Sequence, residues 1–349
     1  MRYSITAVLI VTVGWMANPA WGQNGPPDPP DNAMKPGLGR RPRPQRDEAP
    51  PQPKIPDSIE LVRDVVYSRA PGADGQMIDL KLDAASPKQS DQKLPAVIFV
   101  HGGGFRGGSK DAGIPLVIAF AQGGYLAVTI DYRLAGAAGF PAAVHDCKAA
   151  VRFLRANAKE LGIDPWRIGI VGPSAGGYLS ALIGTSGNDG ALEGELEPSG
   201  VSSTVQCVVD ISGPIDFTRF EDGVRREYLT LWLGDDLQEY KRRAKEASPL
   251  TYIDDADPPF LLIHGTADKI VPLEQAQLFN AALIDAGIET EYLTVEGAGH
   301  ALRQPELLVR IGEFFDRHLG GRAAAVFRKR LDQQPKPTDA PTPAMKRDR

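Results

Sequence analysis

Residues Ile168–Gly184 read IGIVGPSAGGYLSALIG. Ile168–Val171 is a continuous apolar run, the pattern of a parallel strand covered on both faces. Gly177–Gly184 reads as helical. Between them, Gly172-Pro173-Ser174-Ala175-Gly176 is a G-x-S-x-G pattern in the strand-to-helix setting that the pattern requires. A nucleophilic serine on so sharp a turn needs neighbours with little side chain, and Gly172, Ala175, Gly176 and Gly177 supply that. Ser174 is expected to project its hydroxyl above the sheet. A glycine-rich turn into a helix could also cradle phosphate, but a nucleotide loop wants a lysine next to the serine, and none stands there.

On either side of this segment, strands and helices alternate. Ala96–Val100, Leu126–Ile130, Val205–Ile211 and Phe260–Ile263 are further continuous apolar runs, and Thr290–Val295 fits a last strand. Helical stretches fall near Pro115–Ala121, Ala142–Asn157, Leu273–Ala286 and Pro305–Leu319. This β/α order predicts an α/β fold. Ahead of it, Ile59–Tyr67 and Met77–Leu82 alternate apolar and polar residues around Pro71-Gly72-Ala73-Asp74-Gly75, and read as an antiparallel pair. Pro214–Ser248 breaks the alternation and reads as a small cap insertion carrying Phe217, Phe220, Tyr228, Leu229, Leu231, Trp232 and Leu233. Such residues dock an insertion onto the body or line a pocket. Trp232 and Phe105 are the candidates for substrate contact. No internal repeat is visible, which excludes a solenoid or a propeller.

His101-Gly102-Gly103-Gly104-Phe105 follows the Ala96–Val100 strand. Acyl transfer needs N–H donors already in place for the developing oxyanion, and Gly103 and Gly104 are the expected donors, with Ala175 the third. A serine nucleophile also needs a base and a group to orient it. Of five histidines, His300 stands in the Gly297-Ala298-Gly299-His300 loop between the last strand and the last helix, where an imidazole can reach over the sheet edge. His145, His264 and His318 lie within or at the ends of regular elements and read as structural. Asp268, in Gly265-Thr266-Ala267-Asp268, is the expected acid. It could equally cap a turn, and Asp216 is the alternative. The chain order Ser174, Asp268, His300 favours Asp268.

Lys+Arg 39 against Asp+Glu 44 leaves a net charge of −5 in 349 residues, which excludes nucleic acid as a partner. Two cysteines, Cys147 and Cys207, cannot supply a Cys-rich zinc site; no metal is expected, and both are expected as buried thiols. Arg2, the apolar run Ile5–Met16 and the small residues Ala17, Ala20 and Gly22 predict a signal peptide over residues 1–22. The run is shorter than the ~20 residues a spanning helix needs. The expectation is a secreted or periplasmic protein with no stable membrane insertion after cleavage. Residues 23–56 are proline-rich and residues 321–349 polar beyond a short possible helix near Ala323–Leu331; both are expected to be disordered. The remaining domain is 57–320, with the cap at about 214–248.

Several stretches together carry a family resemblance: HGGGFRGGSKD at His101–Asp111, DYRL at Asp131–Leu134, FPAAVHDCKAAVRFLRANA at Phe140–Ala158, GIDPWRIGIVGPSAGG at Gly162–Gly177, and HGTADKIVP at His264–Pro272. They resemble the α/β-hydrolase superfamily and, within it, exported bacterial esterases grouped with bifunctional feruloyl and acetyl xylan esterases. The resemblance implies an α/β-hydrolase fold with about eight strands in a mostly parallel sheet and helices on both faces. It also implies a serine carboxylesterase acting through Ser174, His300 and Asp268 and an acyl-enzyme, without a cofactor. An ester, acylated polysaccharide by family tendency, is the implied substrate. DYRL is also similar to hormone-sensitive-lipase-like esterases, but Ala135-Gly136-Ala137 replaces the Ala-Pro-Glu that often follows there. A carboxylesterase of small molecules or lipids, a prolyl-oligopeptidase-like peptidase and a non-catalytic binding module are the alternatives, in that order.

Overall fold

The computed structural model describes residues 54–187, 189–220, 229–333 and 345–347. The expected signal peptide, and the proline-rich stretch up to residue 53, lie outside them. Strands β1 (Ile59–Pro71) and β2 (Met77–Pro87) form the expected antiparallel pair and run longer than their alternation. The chain reverses where the Gly72 N–H donates to the Gln76 carbonyl and the Gln76 N–H to Asp74 Oδ1. Next come β3 (Leu94–Val100), α1 (Ile114–Gln122), β4 (Leu126–Ile130), α2 (Ala142–Ala156), β5 (Ile163–Pro173) and α3 (Ala175–Thr185). After β6 (Cys207–Ile211), a 3₁₀ turn at Phe217–Phe220 and α4 (Leu237–Ala247) belong to the insertion. The chain closes with β7 (Phe260–Gly265), α5 (Leu273–Asp285), β8 (Thr290–Val295), α6 (Pro305–Leu319), α7 (Ala323–Asp332) and β9 (Met345–Arg347).

The strands make one sheet in the order β1-β2-β4-β3-β5-β6-β7-β8-β9, parallel from β4 to β8. Every residue of β3 is buried, because helices cover both faces and alternate side chains go to opposite sides. Ala96, Ile98 and Val100 join a core with residues of α2, α3 and α5, while Val97 and Phe99 join the core built with α1, α6 and α7. Cys147 belongs to the first core and Cys207 to the second, so the sheet separates these two buried free thiols. The insertion docks through buried Phe217, Leu229, Trp232, Leu233 and Tyr240, and the Phe140 N–H donates to the Trp232 carbonyl (2.9 Å). Tyr228 and the Phe220 side chain lie outside the described residues.

The C-terminal boundary needs correction. The domain does not end at residue 320: α7 packs against α1 and α6, and β9 adds a ninth strand antiparallel to β8. The short helix expected near Ala323–Leu331 is there, but local signals hid its docking because its cap is supplied from a distance. Arg322 makes no side-chain cap bond; instead Asp316 of α6 accepts from the Ala323 N–H (2.7 Å) and the Ala324 N–H (2.9 Å). Phe327 then sits edge-on to Phe120 at 5.2 Å and is 2% exposed. A Phe→Ala cavity in a packed core costs about 3–5 kcal/mol. Urea unfolding of Phe327→Ala should therefore show a loss of that size. A loss below about 0.5 kcal/mol, the scale of a surface change, would place this helix outside the cooperative core.

Candidate active site

At the C-terminal end of β5 the chain turns into α3 through Ser174, whose φ of 56° and ψ of −121° a residue with a Cβ rarely adopts. The turn is held from two sides: the Ser174 N–H donates to the Ile211 carbonyl (2.7 Å) and its carbonyl accepts from the Tyr178 N–H (2.9 Å). Ser174 Oγ–H donates to His300 Nε2 at 2.9 Å, and His300 Nδ1–H donates to Asp268 Oδ2 at 2.7 Å. The tautomer with its proton on Nδ1 satisfies both contacts. Asp268 Oδ1 accepts from the Ile270 and Val271 amides at 2.8 and 3.0 Å, and the carboxylate has no exposed side-chain surface. Asp216 is engaged elsewhere, accepting from Thr218 and Arg219.

The glycine loop after β3 lies against this turn. A Cβ on Gly102 would fall 2.8 Å from the Pro173 carbonyl and 3.4 Å from Ser174 Cβ. Gly103 has φ 127° and a Cβ there would lie 2.1 Å from the Gly107 carbonyl, so only glycine fits. Neither the Gly103 nor the Gly104 amide donates a hydrogen bond among the described residues, and the Ala175 amide, first in α3, has no intrahelical acceptor. Residues 131–135 fix the loop. Tyr132 Oη donates to the His101 carbonyl (2.9 Å) and its ring stacks on His101 at 4.3 Å. The Ala135 N–H donates to the Phe105 carbonyl (2.7 Å).

Phe105 and Trp232 are brought together, but as partners of each other. Their rings stack at 4.0 Å with 1° between planes, and both are buried, at 3% and 2% exposed. Tyr178 and Phe217 pack edge-on or tilted around them. These rings form a buried wall behind the glycine loop, because an aromatic on the insertion loses more water-accessible area by closing on Phe105 than by facing solvent. His264 also has a place that its position in the chain did not reveal. Its buried Nε2–H donates to the Val271 carbonyl (2.9 Å) and lies 3.4 Å from Asp268 Oδ2, and burial keeps its pKa low. It braces the loop that presents the acid.

A model of the BD-FAE family matches residues 82–283, more than half of the chain. The chain belongs to the BD-FAE family. Esterase LipC of Mycobacterium tuberculosis is 35% identical over 216 residues, covering 59% of this chain and 52% of LipC; the chain spans about half the length of the curated relatives it matches. Among solved structures, a bifunctional GH43-CE of Bacteroides eggerthii aligns with TM-score 0.67 and 32% identity over 76% of this chain and 36% of that one. A truncated carbohydrate esterase from gut microbiota aligns with TM-score 0.64 and 26% identity, over 76% and 98%. The fold is that of an α/β-hydrolase.

This BD-FAE chain carries a buried carboxyl on β6 that its motifs do not account for. Asp210 pairs with Gly172 across β6 and β5, and its Oδ1 accepts from the Gly213 N–H at 2.8 Å. Asp210–Gly213 is the turn whose Ile211 carbonyl holds the Ser174 amide. The signal was an acidic residue inside the apolar run Val205–Ile211. Burial raises the Asp210 carboxyl to about 7. An acid protonated in the fold but ionised in the unfolded chain lowers stability as pH rises from about 4 to 7, and no further above that. Asp257, also raised to about 7 by burial, adds to the same decline. Urea unfolding of Asp210→Asn against wild type should isolate the first share: the variant's relative stability should climb across this window and level off above it. Parallel stability curves would assign the decline to other groups.

Proposed function

We propose that this BD-FAE protein is a serine carboxylesterase in which Ser174 is the nucleophile, His300 the general base and Asp268 the orienting acid. The observation that carries the proposal is the continuous hydrogen-bonded line from Ser174 Oγ through His300 to Asp268, at 2.9 and 2.7 Å, beside a glycine loop whose Gly103 and Gly104 amides are uncommitted among the described residues. His300 Nε2 takes the Ser174 proton as Oγ attacks the ester carbonyl. The oxyanion that forms accepts from the Gly103, Gly104 and Ala175 amides. Collapse expels the alkoxide, which leaves as an alcohol with the proton from His300, and Ser174 is acylated. A water then gives its proton to His300 as it attacks, and Ser174 recovers the proton when the acid leaves. Asp268 keeps Nδ1 protonated and stabilises the imidazolium.

The substrate we propose is an acetyl or feruloyl ester of plant or algal polysaccharide. Family membership and likeness to the truncated carbohydrate esterase from gut microbiota support this reading. The name of LipC, an esterase, supports a second reading, hydrolysis of small-molecule or lipid esters. Export through the N-terminal segment is part of the proposal and rests on Arg2 and the Ile5–Met16 run; N-terminal sequencing of protein from the producing cell should begin near Gln23.

The enzyme should release acetate and ferulate from acetylated, feruloylated xylan, and Ser174→Ala should abolish release. Asp268→Asn should reduce turnover by ~10⁴, the effect of the equivalent change in serine proteases. Wild-type-like turnover by Asp268→Asn would remove the role from Asp268. Hydrolysis of nitrophenyl esters without release from the polymer would support the small-ester reading.

A further inference from the structure

The catalytic residues stand at the C-terminal end of the parallel strands. At the opposite end a cleft of about 1120 Å³ opens between the starts of β1 and β3, the end of β2, the ends of α1 and α6, and α7. Its charge is contrary to that of the chain. Lys88, Lys93, Arg167, Arg322, Lys329 and Arg330 line it, against the carboxylates Asp57 and Asp91, although the whole protein carries −5. Two of these cations are committed. Arg167 pairs with Asp164 (3.1 Å) and donates to the Leu319 carbonyl at the end of α6 (3.1 Å), and Arg330 donates to Gln122 Oε1 at the end of α1 (2.6 Å). Lys88, Lys93, Arg322 and Lys329 have no carboxylate partner among the described residues.

We propose that this cleft binds an acidic oligosaccharide, one whose sugar units carry carboxylates. Isolated surface lysines are ordinarily just solvated. Here four unpaired cations converge in one concavity, which focuses their field and favours an anion over water. The remaining polar lining distinguishes the kind of anion. Gln89, Gln92 and Gln333 bring neutral amides, each both donor and acceptor. That set suits sugar hydroxyls between carboxylates. A single-stranded nucleic acid would call for aromatic platforms, and the described lining contains none. A membrane surface would call for a convex or flat basic face rather than a cleft. The choice of a glycan rests on the polysaccharide reading above, whereas the anion-binding cleft rests on its own residues.

Titration calorimetry of the full-length protein with hexagalacturonate and with the neutral xylohexaose tests the proposal. Hexagalacturonate should bind at low salt and weaken steeply as salt is raised, and xylohexaose should bind at least 10-fold more weakly. The triple variant Lys88→Gln, Arg322→Gln, Lys329→Gln should lose 10-fold or more in affinity for hexagalacturonate. Its unchanged turnover of a small nitrophenyl ester would show that it is folded. Equal binding by variant and wild type, equal binding of the two oligosaccharides, or tighter binding of an oligonucleotide or phosphatidylserine vesicles would each overturn the proposal. Failure of acetate release from xylan would instead count against the esterase reading and leave this binding result standing.

Discussion

The approach of α3 to the end of β3 is the constraint on which the site depends. A Cβ on Gly176 would lie 2.0 Å from the Val100 carbonyl, a separation no side chain can occupy. Only a bare Cα lets the helix descend this far, and the descent brings the loop of Gly102–Gly104 alongside Ser174. The serine must then take up an unfavourable backbone conformation, a strain of order 1–3 kcal/mol. The strain is offset by burial on the next turns: all eleven residues of α3 are buried, and a single fully buried aliphatic side chain contributes about 1.5–3 kcal/mol. Packing therefore wins, and the hydroxyl stays aimed above the sheet without a ligand to hold it.

A second support works on the other side of the glycine loop. Asp131, Tyr132 and Arg133 leave β4 in sequence and each grips a different part of the scaffold. Asp131 accepts from the Lys110 amide (2.7 Å), Tyr132 holds the His101 carbonyl, and Arg133 forms a buried bidentate pair with Asp146 of α2. Arg133 also donates to the Pro71 carbonyl at the hairpin (3.0 Å). Such a buried pair adds little net stability relative to apolar packing, but removing one partner leaves an uncompensated charge at a cost of 3–5 kcal/mol. Its consequence is positional. One guanidinium ties the hairpin to α2, and the adjacent Tyr132 ties the loop to the same segment, so the loop amides keep their direction while uncommitted.

Legibility in the sequence followed how local each cause was. The strand at Ala96–Val100 and the helix at Pro305–Leu319 could be read because a continuous apolar run and a helical period are properties of a few adjacent residues. Ser174 was legible because its turn demands small neighbours in sequence, and Asp268 was preferred to Asp216 through chain order alone. The first residues of β5, Ile163–Arg167, were not legible: no apolar run marks them, and they pair with β3 only across a register shift between Leu94 and Ala96. The stacking of Trp232 on Phe105 joins residues more than a hundred positions apart, and the cap of α7 comes from Asp316 on another helix. Asp210 had a local signal, a charge in a buried strand, but its role lies in the turn it holds across the sheet.

The two ends of the sheet are far apart. Arg167 on β5 and Ser174, just past its end, lie seven residues apart, about 23 Å at the usual rise of a parallel strand. Helices and buried strands fill the space between. A polymer held in the basic cleft would gain nothing in the alignment of its ester with Ser174. What it would gain is local concentration: a chain anchored at one end of the molecule presents its other esters to the opposite end at a density set by its own length and stiffness. The gain falls to zero for a glycan too short to span both ends, so the proposed role for the cleft grows with the length of the glycan.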